Sequence, residues 1–139
     1  MFVCWGVVLT GTAYGHGAAI IESWRTAASS VNGAPIPGRI ADALRGVEFR
    51  SLNAFRKSFW KAIANDVELS KLFSEDDLFR MDKEGYAPRV DSVDSYKRHA
   101  TLVLHHLMPI NQGGGVYDID NIRVVTPAVH HAIHYGAKQ

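Results

Sequence analysis

A chain of 139 residues with a formal net charge of +1 has the length of one domain, enough to bury roughly two-thirds of its unfolded surface. Its apolar and charged contents are ordinary for a globular protein, and the near-neutral total argues mildly against a nucleic-acid binder. Cys4 is the only cysteine, which excludes an internal disulfide and a thiolate metal cluster. Any metal therefore has to sit on His, Asp or Glu.

The charge is uneven. Arg39, Arg45, Arg50, Arg56, Lys57 and Lys61 face only Asp42 and Glu48 over their stretch, whereas Asp66 to Asp94 is strongly acidic. Two solvated helix faces of opposite sign explain this as well as a basic face for phosphate does.

The apolar run Phe2 to Leu9, followed by small residues, resembles a weak secretory signal, but no Lys or Arg precedes it. It is too short to cross a membrane as a helix, so no spanning segment is expected and no cleavage site is assigned. Residues 1–32 are set apart as a segment of uncertain role, and 33–139 as the domain proper. Ala18 to Ala28 has helical spacing, with Ile20, Ile21, Trp24 and Ala28 near one face. Ser29 to Pro37 is a turn-rich connector. A short helix over Arg39–Leu44 can stop at Gly46. Ser51 can cap the next helix, whose apolar face is Leu52, Phe55, Phe59 and Ile63. Val67 to Phe73 gives another turn or two. Ser74 starts a further helix with Asp77 in the capping-box position, and Gly85 suits its C-terminal cap.

The pattern changes after Lys97. Thr101 to Leu104 reads as a strand running into His105-His106, Asn111 to Gly115 as a loop, and Ile122 to Val125 as a second strand. Thr126 as N-cap and Pro127 at the first helical position start a helix that ends at Gly136. The expected fold is α+β, with a helical N-terminal part packed on a strand–loop–strand–helix unit at 101–136.

That unit carries the chemistry. Six of the seven histidines lie after residue 98. His130 and His134, four apart on a helix, put both imidazoles on one face within reach of one ion. His131 points about 100° away from His130 on a helix and is not counted. Either His105 or His106 can supply the third ligand. Neighbours on a strand face opposite ways, so the other ring of the pair is free to take a proton from water near neutral pH. An i, i+4 His pair is weak evidence alone, and an HH dipeptide weaker; both on one frame are much harder to explain by chance. His16 and His99 read as ordinary surface histidines.

The stretch LHHLMPINQGGGVYDIDNIRVVTPAVHHAIH, from Leu104, resembles the HNH (ββα-metal) nuclease domain of DNase-type colicins and S-type pyocins. The resemblance extends through GAPIPGRIADALRGVEF (Gly33 to Phe49), FRKSFWKAIANDVELSKLF (Phe55 to Phe73) and EGYAP (Glu84 to Pro88), and so covers roughly residues 33 to 135. It implies metal ligands His105, His130 and His134, a general base His106, and Asn121 bracing the loop that positions the base. It implies one divalent ion: Zn²⁺ or Ni²⁺ by ligand type, with Mg²⁺ also open for catalysis. Arg56 matches a basic residue that contacts DNA backbone. Tyr86 falls on the surface that binds a small immunity protein, where the usual aromatic after the Pro is Arg89.

The chain also departs from the family. A Glu two residues before the HH pair, and the Arg four residues before that, are Val103 and His99 here. Arg98 is a neighbouring substitute for that Arg, and Arg25 lies roughly where the family has a phosphate-contacting Arg. The resemblance implies a metal-dependent, non-specific DNA endonuclease, with RNA also open as substrate. Such a domain is released by the producing bacterium as a toxin and acts in the cytoplasm of a target cell. The alternative is a weakened relative that binds nucleic acid or an immunity protein without efficient cleavage.

Overall fold

The computed structural model describes residues 9–20 and 22–135. The apolar run from Phe2, Cys4, Ile21 and the helix stop at Gly136 lie outside the described residues. Elements follow in the order β1 (Gly11–Thr12), α1 (Trp24–Ala27), β2 (Ala34–Pro35), α2 (Gly38–Leu44), β3 (Glu48–Phe49), α3 (Leu52–Ala64), α4 (Glu75–Glu84), β4 (Val103–His106), β5 (Ile122–Val125) and α5 (Pro127–Tyr135). This is the α+β arrangement expected, with helices first and the strand–loop–strand–helix unit last. No helix among the described residues is long and apolar enough to cross a membrane.

The central helix is α3. Ser51 caps it by accepting from the Ala54 N–H at 3.1 Å, and Leu52, Phe55, Phe59, Trp60 and Ile63 are all buried. Phe59 meets Trp60 edge-on at 4.7 Å, and Phe55 meets Phe49 at 5.1 Å, favourable aromatic geometries. Ser74 caps α4 through the Asp77 N–H at 3.1 Å, and left-handed Gly85 closes it. The Asp77 carboxylate does not complete a capping box. It turns instead to Arg80 at 2.7 Å and Arg89 at 2.9 Å.

Two antiparallel sheets flank this core: β1 with β3, and β2–β5–β4. In the second, His105 lies opposite Arg123 and His106 opposite Ile122. The second sheet therefore carries both histidines inside the strand. Strand pairing starts at Val103 rather than Thr101, because Thr101 and Leu102 pair back onto Arg89 and Pro88.

The helix expected over Ala18–Ala28 shrinks to Trp24–Ala27. Ala18 donates its N–H to the Ile36 carbonyl at 2.8 Å and accepts from Gly38 at 2.8 Å. That tertiary pairing takes the backbone groups a helix would need. Gly17 enters the turn at φ +75°, and a Cβ there would sit 2.7 Å from the Ile36 carbonyl oxygen. Ala13, Trp24 and Ala28, from the segment left without a role by sequence, lie in the same core as α3 and β5.

Candidate metal centre

Three imidazoles converge where β4 passes α5. Thr126 opens α5 by accepting from the Val129 N–H at 3.2 Å, and its own N–H is held by the Ala28 carbonyl. One turn apart on this helix, His130 and His134 bring their Nε2 atoms to 3.1 Å. The His105 ring sits 5.6 Å from His130 and 5.4 Å from His134, edge-on to each. One ring nitrogen from each of the three lies within 4.8 Å of the others. Nitrogens bound to one tetrahedral ion at about 2.0–2.1 Å are about 3.4 Å apart, so small ring rotations close the set.

The electrostatics suit a cation. Burial and then the neighbouring imidazoles push His105 down to about 4. Burial, followed by His134 and His99, does the same for His130. Both rings are therefore neutral at neutral pH, with lone pairs to offer. His131 is turned away, as the helical angle requires, and stacks on Tyr96 at 3.8 Å.

On the opposite face of β4, His106 places Nε2 2.9 Å from the Val116 carbonyl oxygen. A carbonyl only accepts, so Nε2 carries the proton and Nδ1 keeps the lone pair. Burial holds this ring below the usual histidine value, opposed by the Val116 bond. Val116 belongs to the loop between β4 and β5, which Asn121 staples. The Asn121 Oδ1 accepts from the Met108 N–H at 2.8 Å, and its Nδ2 donates to the Met108 carbonyl at 3.1 Å and, more weakly, to Gly115 at 3.4 Å. Gly114 is required here, since a Cβ would collide with the Met108 carbonyl.

A cleft of about 740 Å³ adjoins the trio. His130 and His134 line it together with Arg56, Tyr86 and Arg89. His105 and His106 are not part of its wall. Arg56 is half-buried and bonded to Asn53 at 2.7 Å, with burial lowering its pKa. Tyr86 is exposed. Arg98 is exposed and outside the cleft. His99, read from sequence as an ordinary surface residue, lines the cleft beside Val103. The Tyr96–His99 bridge folds it toward α5. Arg25 is committed elsewhere: it donates to the Leu72 and Arg89 carbonyls and covers the Phe73 ring at 4.8 Å.

Sequence reasoning passed over the residues that hold the loop from outside. Asp120 accepts from the His16 N–H at 3.0 Å and the Gly17 N–H at 2.8 Å. Tyr14 bridges Asp118 through the Tyr117 carbonyl and the Ile119 N–H. The one available signal was the pair of Asp residues before Asn121, which reads simply as turn chemistry.

Two short strands, a stapled loop and a helix around three imidazoles make a ββα-metal arrangement. The family model for the colicin/pyocin-S2 DNase domain matches residues 11–135. Colicin-E7 of Escherichia coli is 46% identical over 91% of this chain. The nuclease domain of pyocin S8, solved with its cognate immunity protein, superposes with a TM-score of 0.84 at 43% identity, covering 87% of this chain and 96% of that one. The pyocin AP41 DNase–immunity complex gives a TM-score of 0.87 at 36% identity, covering 93% and 95%. The chain belongs to the colicin/pyocin DNase domain family. It spans 22% of the length of colicin-E7.

Proposed function

We propose that this chain is the cell-killing domain of a colicin- or pyocin-like bacteriocin, a metal-dependent endonuclease that hydrolyses DNA phosphodiester bonds without base selection. The observation that carries this reading is the convergence of three histidine nitrogens within 4.8 Å of one another, in a chain matched over residues 11–135 by a DNase-domain family. His105, His130 and His134 are the ligands; neutral imidazoles favour Zn²⁺ or Ni²⁺, while Mg²⁺ prefers oxygen. When bound, the ion supplies Lewis acidity toward a phosphate oxygen and the leaving oxygen.

His106 is the general base. Its Nδ1 accepts a proton from water as the water oxygen bonds to phosphorus and the ester P–O bond breaks. The Val116 carbonyl fixes the tautomer and then stabilises the imidazolium, whose Nε2–H it already accepts. Asn121 braces that loop. Arg56 and Arg98 contact the phosphate backbone, which gives affinity without sequence information. Tyr86, exposed and part of the cleft lining, belongs to the surface taken by an immunity protein, the partner with which both solved relatives were captured. The domain is released from its producer and acts in the cytoplasm of the target cell.

The test is nicking of supercoiled plasmid by purified protein stripped of metal and then supplied with Zn²⁺, Ni²⁺ or Mg²⁺, with an RNA substrate in parallel and His106→Ala alongside. Metal-dependent nicking that disappears in the variant is expected. A folded chain that binds Zn²⁺ and cleaves nothing would instead indicate the weakened, partner-binding relative, with the loss traced to Val103 and His99.

A further inference from the structure

The His106 ring is oriented by one carbonyl, and that carbonyl sits in a loop with little regular structure: two single 3-10 turns, Ile110–Gln112 and Ile119–Asn121, are all that residues 107–121 contain. Asn121 ties this loop to itself. What ties it to the rest of the protein is the segment Leu9–Gly17. Tyr14 donates to the Tyr117 carbonyl at 3.1 Å and accepts from the Ile119 N–H at 2.7 Å, while Tyr117 donates its hydroxyl to the Leu9 carbonyl. Asp120 then accepts two consecutive N–H groups, from His16 and Gly17. The segment is itself anchored: Ala13 exchanges bonds with Val47 and Gly46, and Ala18 with Ile36 and Gly38.

We propose that Asp120 is a positioning residue for the base: by gripping the His16 and Gly17 N–H groups, its carboxylate holds the Val116–Asn121 loop against the N-terminal segment and so keeps the Val116 carbonyl on His106 Nε2. The inference rests on His106 being the base. Asp120 touches neither His106 nor the three imidazoles; it acts four residues along the loop from Val116. The His16 N–H most of all, joined by the Gly17 N–H and the nearby Arg123 charge, outweighs the desolvation penalty and holds its carboxyl below the usual range, so it accepts both bonds. Removing it leaves the backbone bonds of Tyr14 and the packing of Tyr117 on Phe49 and Phe55 in place. What is lost is precision in the loop rather than the fold.

The experiment compares wild type, Asp120→Asn, Asp120→Ala, His106→Ala and the Asp120→Ala/His106→Ala double variant, reading kcat and KM on duplex DNA, Zn²⁺ affinity and thermal midpoint. A misplacement of about 1 Å costs about a hundredfold in rate, so Asp120→Ala is expected to lower kcat by about 10- to 100-fold, with KM and Zn²⁺ affinity within about twofold. Asp120→Asn, which keeps one acceptor, falls between. In the His106→Ala background the Asp120→Ala change costs nothing further, the signature of two residues acting as one unit. Equal losses in both backgrounds, a parallel loss of Zn²⁺ affinity, or an unchanged kcat would overturn the proposal. If His106→Ala keeps wild-type kcat, the base assignment has failed; if its residual rate is too low to measure, the cycle cannot be read. In both cases nitrogen NMR of the histidine rings decides the positioning question. The Nε2-protonated His106 signal should be single and sharp in wild type and lost or averaged in Asp120→Ala, and its persistence in that variant would overturn the inference.

Discussion

Replacing Asn121 with Ala removes the clasp that closes the loop under His106. Two bonds of good length are lost, from the Met108 N–H at 2.8 Å and to the Met108 carbonyl at 3.1 Å, together with the longer one to Gly115. At about 1 kcal/mol net for each good bond, the loss is about 2 kcal/mol. For a chain of 139 residues the unfolding entropy is about 0.3 kcal/mol per degree, so the midpoint should fall by about 7 °C. The three imidazoles stand on β4 and α5, outside the loop, and Zn²⁺ affinity should hold. Nicking should drop by about a hundredfold as the Val116 carbonyl drifts from His106. Asn121→Asp sharpens the test: it keeps the acceptor for Met108 N–H but sets a carboxylate oxygen against two carbonyls, and should be no better than Ala. Calorimetry and a plasmid time course on the same preparations suffice. A midpoint within 2 °C of wild type with full activity would refute the bracing argument outright.

Other outcomes follow from the same geometry. Zn²⁺ at about 100 times its dissociation constant should stabilise the protein by about 2.7 kcal/mol, and His134→Ala should abolish most of that thermal shift; an undiminished shift would mean the ion sits elsewhere. Burial raises the Asp77 carboxyl, but hydrogen bonds and charge from Arg80 and Arg89 outweigh it and hold the group below its ordinary value. Its contribution is therefore present above about pH 4, the unfolded value, and is lost as pH falls through the lower folded value. Asp77→Asn should thus lower the unfolding free energy read from urea titration at pH 7 by about 1.5–3 kcal/mol for a charge-assisted pair, and the gap from wild type should narrow toward pH 3. A gap independent of pH would contradict the ion-pair account. Arg56→Ala should raise KM for DNA and reduce the slope of log affinity against log salt by about one, leaving kcat intact; an unchanged slope would remove Arg56 from the phosphate path.

Much of the chemistry was legible because it is local. His130 and His134 are fixed by one helical turn, and the Thr126-Pro127 start sets where that turn falls. That one ring of the His105-His106 pair reaches the helix needed only strand, loop, strand and helix in sequence; that it is His105 came from the family resemblance. The apolar face of α3 was equally plain, since its 3.6-residue period is written in the residue types. What did not read out depends on distant partners. Ala18 to Ala28 has helical spacing, yet the Gly38 N–H takes the Ala18 carbonyl that a first helical turn would need. His99 carries no neighbour signal of its own and reaches the cleft only because its turn folds over α5. Arg25 was placed only by rough position, and its contacts with two carbonyls and a phenyl ring come from residues 47 or more positions away.

The contact of residues 14–17 with 117–120 joins parts of the chain a hundred residues apart. The imidazole trio, by contrast, spans only residues 105 to 134. The two halves of the apparatus therefore form by closures of very different length. The trio closes within residues 105 to 134, whereas the contact that holds the loop under His106 has to close about a hundred residues of chain, at a higher entropic cost. Loss of the 14–17 contact would then leave the three imidazoles together while freeing the loop that holds the Val116 carbonyl on His106.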